Sequence, residues 1–558
     1  MTLSARIHRY LQPKFYLIFF RAATVLMIAG ISLFSMLGQA EAHAVLEQTT
    51  PSANARLDIS PQSVDIVFNE RLDSGGAKLL VLNELSRNVA KDEPKSTNEG
   101  KGLTVKLPKL GEGHYTVSYS VISADGHPIS GAYIFTVGNP APITGASELD
   151  PHQQVGHSNH GAGGLSSQSF LLYTSRIMYY AGLLAVAGLA FWSLLQKRQA
   201  STLIQEVHVQ CLGLAGKFAL IATLAYVFFS LQDLGQGEPL SEWGRILSST
   251  TIGKLYIAML LLALIAVVLP KLGLIIRLLW AAIALSVEAW SGHAAALDPI
   301  AYSIALDWLH LAAASLWSAG LVLLLAIWLK ERPEAGRFAL LFSKWALISF
   351  LVLWVTGVLA TLEYLPTLDY LLYTSWGKWL IAKAALSLLV AATAFLIRLR
   401  LRKGNLPHGN LLRIDVGLLA AIVVTVGVLT YQSPLPANEP INFHKMGTEM
   451  HVTLRVTPNS PGENQFTLKI WLPDAINKGV PKKVQLRLLP LDREGMGFID
   501  VPLIASEDQE LDGFPDFAKS TYGAKGPFLP FAGQWKLQIR VTDSLDNERV
   551  VETTTRIY

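Results

Sequence analysis

Cysteine is almost missing from this chain. One residue, Cys211, in 558 excludes an intrachain disulfide and any Cys-x-x-Cys metal or redox pair, so metal binding falls to His, Asp, Glu and Met. Charge is also scarce: 16% of residues are charged against 51% apolar, and the formal net charge is only +4. The basic residues sit between long apolar runs, which excludes a nucleic-acid patch and points instead to membrane topology. No G-x-x-x-x-G-K-[ST] loop occurs, so no P-loop ATP motor is expected.

What is present begins with a basic opening (Arg6, His8, Arg9, Lys14, Arg21), an apolar run from Ala22 to Leu37 and the small-x-small stretch Ala40-Glu41-Ala42. This pattern predicts a signal peptide over 1–42, with an uncleaved anchor helix as the other reading. Cleavage after Ala42 would make His43 the first mature residue. Its free α-amine and imidazole together chelate a divalent ion that prefers nitrogen, above all Cu(II). Residues 43–140 then alternate apolar and polar, as in Val64, Ile66 and Phe68, or Tyr115, Val117, Tyr119 and Val121, and Leu80 with Leu82. Such runs predict a small antiparallel sandwich or barrel. Within it, Asp125 and His127 are two apart and can face one ion from an extended chain. With the two His43 nitrogens they complete three nitrogens and one oxygen, and His114 reads as a surface residue.

Residues 141–166 are rich in Pro, Gly, Ser and His (His152, His157, His160) and read as a flexible tether. From 167 to 433 about eight apolar spans follow: 169–195, 210–232, 254–270, 273–290, 302–329, 339–362, 377–399 and 411–431. Each is long enough for a bilayer. Alternate connections hold Lys197-Arg198, Lys271/Arg277, Lys330/Arg332/Arg337 and Arg398–Arg413, which places them in the cytoplasm and both flanking domains outside. Ionisable groups inside spans are costly and default to functional candidates. They are Arg176, Glu288, Asp307, His310 and Lys383, with His293 just beyond the fourth span. His293 and His310 form candidate rungs of a descending path; the other reading pairs Asp307 with Lys383 or Arg176 for packing, with His310 as an interior hydrogen-bond donor. From 441 to 558 alternation returns and predicts a second all-β sandwich. At its entry His444, Met446, Met450 and His451 make a short soft-ligand strip, with ordinary linker as the alternative.

The motifs carry resemblances. His43–Ala55, Val64–Glu70 and Ser123–Tyr133 (S-A-D-G-H-P-I-S-G-A-Y) resemble the CopC family of copper-binding β-barrels. That likeness implies Cu(II) on His43, Asp125 and His127, with Glu70 as an acid behind them. No Met lies between 43 and 139, so one Cu(II) site and no Met-rich Cu(I) loop is expected. Ser291–Ala295, Asp307–Leu321 and the segment from Trp376 are similar to CopD, which implies copper movement across a membrane with His293 and His310 as ligands and, more cautiously, Asp307. Gly462–Phe466 and Leu529–Trp535 resemble the YtkA-like domain that follows CopD in YcnJ-like CopC–CopD fusions. Phe531 stands where that family often has Met, which puts a Cu(I) site at that motif in doubt.

The expected architecture is a multidomain membrane protein: an all-β Ig-like CopC barrel, a polytopic α-helical bundle and a C-terminal all-β sandwich, in the cell membrane with both β-domains extracytoplasmic. The expected function is copper acquisition or transport rather than catalysis. Expected partners are the copper ion, the bilayer and a delivering chaperone or reductase, without nucleic acid. Copper sequestration or sensing without flux, a haem or copper redox carrier, and an oxygen-activating copper enzyme stay open at this point.

Overall fold

The computed structural model describes residues 46–557 except 53–54, 125, 141–166, 197–200, 236–239, 298, 366–367, 369, 405, 433, 435–437, 439, 448, 475–479, 494–495, 507–513 and 515. The expected signal segment, His43, Asp125 and the tether with its three histidines lie outside the described residues.

In the N-terminal domain, β1 (Leu46–Thr50), β2 (Arg56–Leu57), β3 (Ser63–Phe68), β4 (Leu72–Leu82), β5 (Lys95–Thr97), β6 (Gly102–Lys106), β7 (Gly113–Ser123) and β8 (Pro128–Val137) form two sheets. Their orders are β1-β3-β6-β5 and β2-β8-β7-β4. The period-2 pattern of β3 sends Val64, Ile66 and Phe68 inward, where they meet Val117, Val121 and Phe135 from the other sheet. Burial of each such side chain stabilises by roughly 1.5–3 kcal/mol. In β4 the inward residues are Leu79 and Val81 rather than Leu80, with Leu82 buried as well. Four consecutive apolar residues, Leu79 to Leu82, carry no alternation to decide the face. His114 is not a plain surface residue: it is half-buried in β7, its Nδ1 3.0 Å from Thr136 Oγ1 on β8.

The membrane unit contains, among the described residues, eight helices long and apolar enough to span a bilayer. They are α1 (Ser167–Leu195), α2 (Thr202–Gly235), α4 (Thr251–Val268), α5 (Leu274–Ser291), α6 (Ile300–Lys330), α7 (Arg332–Tyr364), α9 (Ser375–Arg402) and α10 (Gly409–Leu429). Two shorter helices, α3 (Leu240–Ser249) and α8 (Tyr370–Tyr373), lie between them. Several helices outrun their apolar cores because long Lys and Arg stems at their ends can lie along apolar surface with their charges in water. Helix α1 is the hub, packed against α2, α5, α6 and α10. Gly188 on α1 leaves no room for a Cβ, which would overlap the Ser315 carbonyl of α6. The small residues from Ala312 to Ser315 thus permit near-backbone contact. Leu351, Val355, Leu362, Leu388 and Phe395 on α7 and α9 point outward, an apolar exterior that only lipid accommodates.

The C-terminal domain has β9 (Ile441–Lys445), β10 (His451–Thr457), β11 (Gly462–Pro473), β12 (Lys483–Pro490), β13 (Ile499–Val501), β14 (Ile504–Ala505), β15 (Phe517–Leu529), β16 (Gly533–Thr542) and β17 (Glu548–Ile557). They pair as β14-β15-β11-β10-β9 and β13-β12-β16-β17. Val452, Leu454, Val456, Phe466, Leu468, Ile470, Trp535, Leu537, Ile539 and Val541 fill its core, as their alternation predicts. Asp543 closes the β16–β17 hairpin: Leu545 N and Asn547 N donate to its Oδ1 at 2.9 and 3.0 Å, and Arg549 donates to its Oδ2 at 2.8 Å. The Arg549 guanidinium and these backbone donors hold its carboxyl down to about 2 from the ordinary 3.8. A depressed folded-state pKa contributes stability that is complete above the unfolded value and is lost as pH falls through the folded one. Thermal unfolding of this domain is therefore expected to shift downward between pH 4 and 2. Asp543→Asn should be less stable at neutral pH and flatter across that window; an unchanged acid dependence would remove Asp543 as its source.

Candidate functional site

At one end of the N-terminal domain three segments come together. Leu46 pairs with Phe68, so β1 enters the sheet where β3 leaves it. Leu72 pairs with Ser123, which sets the 69–71 corner, carrying Glu70, beside the turn that follows β7. That turn is closed by its own backbone: Ser123 N donates to His127 O at 2.9 Å, and His127 N donates to Ser123 Oγ at 3.1 Å. Gly126 takes φ +86°, a left-handed conformation that glycine adopts without a Cβ penalty. The result is a fixed backbone at position 127, with the His127 residue 7% exposed. His43 and Asp125, the other two sequence-predicted ligands, lie outside the described residues. Among the described residues no three His, Cys, Asp or Glu side chains converge to hold a metal.

In the membrane unit, His310 is defined by its neighbours. Thr356 Oγ1 donates to the Val352 carbonyl at 2.7 Å, so it accepts from His310 Nδ1 at 2.8 Å. With its proton on Nδ1, the ring offers its Nε2 lone pair to Lys383 Nζ, 3.4 Å away. His310 and Lys383 also line a cavity of ≈ 440 Å³ together with Tyr180, Trp354, Thr361 and Ser387. Asp307, one turn earlier, is within electrostatic reach of Glu288, Lys383 and His293. His293 occupies a 3-10 turn, its Nε2 3.2 Å from the Gln432 carbonyl and its ring edge-on to Tyr364. Arg176 does not serve as the packing partner of Asp307: it donates to Tyr226 Oη at 3.1 Å and to the Thr430 carbonyl at 2.9 Å. Tyr179 donates to Glu288 at 2.7 Å, and Tyr431 to Asp233 at 2.7 Å. Sequence reasoning missed this tyrosine network because Tyr passes as an apolar span residue. The signal was the spacing of Tyr173, Arg176, Tyr179 and Tyr180 along one helix face.

The soft-ligand strip divides. Met450 is a core residue, 8% exposed and packed with Val452 and Leu454, so it leaves the ligand set. The alternation of β10 places His451 on the other face of the sheet.

A spanning bundle with buried ionisable side chains, joined in one chain to two β-domains, defines a multi-pass membrane protein. The chain belongs to the CopC–CopD copper-resistance family: residues 46–138 match the CopC domain, 167–302 the copper resistance protein D-like N-terminal domain, and 336–430 copper resistance protein D. It is 25% identical over 537 residues to the copper transport protein CutJ of Bacillus subtilis (strain 168), covering 89% of this chain and 93% of that one. The N-terminal region is 36% identical over 99 residues to protein YobA of Escherichia coli (strain K12), covering 17% of this chain and 79% of YobA. A solved structure of CopC from Methylosinus trichosporium OB3b is 29% identical, covering 18% of this chain and 100% of that one, with a TM-score of 0.17. The functions named among these relatives are copper transport and copper resistance, not catalysed reactions.

Proposed function

We propose that this protein acquires copper outside the cytoplasmic membrane and moves it across that membrane, with Cu(II) captured at the N-terminal domain. In this reading, 1–42 is removed, 43–140 is the capturing domain, 141–166 its tether, 167–433 the bundle and 441–558 a YtkA-like domain on the same outer side. The observation that carries it is the convergence of the Leu46 strand entry, the Glu70 corner and the His127 turn at one end of the domain. His43 lies three residues before Leu46, within about 10 Å of chain, so its amine and imidazole can reach the ion that His127 and Asp125 hold. Glu70 sits behind them as an acid that orients a ligand. Within the bundle, His293 and His310 receive copper in turn, with Asp307 supplying nearby negative charge.

His127→Ala in the mature chain is expected to change the Cu(II) EPR spectrum by loss of one nitrogen donor. His114→Ala is expected to leave it unaltered, because His114 stands nine strand residues, about 30 Å, before the Ser123 end of β7. The reverse pattern would show that the wrong histidine has been assigned. Copper uptake into proteoliposomes separates transport from sequestration or sensing, and a Soret band in the purified protein would favour a haem carrier.

A further inference from the structure

On the outer face of the five-stranded sheet in the C-terminal domain, register brings two imidazoles and an indole together. Thr453 pairs with His444 and, two residues earlier, His451 pairs with Trp471. All of them point away from the Val452, Leu454 and Val456 core. His444 Nδ1 is 2.7 Å from Thr453 Oγ1, which fixes the ring and leaves Nε2 as its ligand nitrogen. Phe514 lies parallel to both histidines, 4.4 Å from His451 and 6.2 Å from His444, while Phe517 closes His451 from another side at 4.5 Å. Trp471 meets His444 and Phe514 edge to face, at 6.4 and 5.3 Å. Inside this aromatic box His451 Nδ1 is buried without a hydrogen-bond partner among the described residues, an arrangement native structures rarely leave unexplained.

We propose that His444 and His451, with the Trp471 indole beneath them and the Met446 thioether at the rim, form a second copper station selective for the soft monovalent ion, Cu(I). Imidazole suits copper and a thioether selects its reduced form, and Met446, two residues beyond His444, is 61% exposed and available. An indole face attracts a desolvated cation. Among the described residues no carboxylate enters the donor set, and the same sheet face carries Lys469 opposite Thr453 and Lys519 opposite Trp471. The identity of the ion rests on the copper reading above; the two-histidine geometry does not.

The test uses the purified full chain with Ag(I), a redox-inert stand-in for Cu(I), and with Cu(I) itself under ascorbate against bicinchoninate. His444→Ala and His451→Phe are each expected to bind one equivalent fewer of either ion than the parent chain. His451→Phe keeps an aromatic ring against Phe514 and Phe517, so unchanged thermal unfolding excludes misfolding as the cause. His127→Ala should keep that equivalent while altering the Cu(II) EPR signal. Full Ag(I) and Cu(I) stoichiometry in both folded variants would overturn the proposal. Loss of Cu(II) capture alone, with the Ag(I) difference intact, would overturn the N-terminal reading and leave this one standing.

Discussion

A chain that keeps residues 1–42, through replacement of Ala40 and Ala42 by Leu, is expected to bind Cu(II) at the N-terminal domain at least ~100-fold more weakly than the chain cut before His43. The reason lies in the donor count. Before the cut, the His43 nitrogen is an amide, which neither carries a free lone pair nor closes a chelate with its own imidazole. Cutting adds one nitrogen donor and turns a single ligand into a two-toothed one. Loss of a hydrogen bond behind a metal ligand commonly costs 10- to 100-fold in affinity, so loss of a ligand atom should exceed it; a 100-fold change corresponds to about 2.8 kcal/mol. Glu70→Gln supplies the internal scale, with an effect expected inside that smaller range. Competitive Cu(II) titration of the two chains in the same detergent measures both. Equal affinity for cut and uncut chains would remove the His43 amine from the site.

Legibility followed the physics of each element. Strands with one wet face, such as β3 and β10, announce their inward residues by alternation, and spans announce themselves by length and lack of charge. Where both neighbours are apolar, as from Leu79 to Leu82, alternation vanishes and the inward face had to be seen. The strip from His444 to His451 is legible only in part for a related reason: soft ligands adjacent in sequence group together, whereas a strand sends Met450 into the core and His451 to the opposite face. Trp471 and Phe514 come to that face through pairing and a distant loop, which no local pattern encodes. In the bundle, charged residues were visible one by one because charge is conspicuous among apolar neighbours. Their partners Thr356, Tyr226 and Tyr179 were not, because hydroxyl residues are unremarkable in spanning helices.

The second large effect is expected at His310. Its Nδ1 proton is committed to Thr356, and its Nε2 lone pair faces the Lys383 ammonium. If His310 receives copper, as proposed, the ion and Lys383 would compete for the same nitrogen. An ion arriving at Nε2 would displace a tethered cation, and the returning ammonium would help expel it, as a station that must both attract and release requires. A hydrogen bond to a charged group is worth about 1.5–3 kcal/mol, so removing the competitor should tighten copper at His310 by roughly 10- to 100-fold. Lys383→Leu, which removes the ammonium without adding a copper ligand, is thus expected to retain more copper in the purified membrane protein yet deliver less of it to the cell. His310→Gln keeps a hydrogen-bonding side chain toward Thr356 but offers no imidazole, and should lower both retention and accumulation; His293→Ala should lower accumulation while leaving N-terminal Cu(II) affinity unchanged. Uptake normalised to membrane abundance, set beside copper content of the purified variants, reads the two quantities separately. Normal flux in His293→Ala and His310→Gln would take these histidines out of the pathway, and a fall in copper content in Lys383→Leu would mean that Lys383 supports the site instead of competing for it.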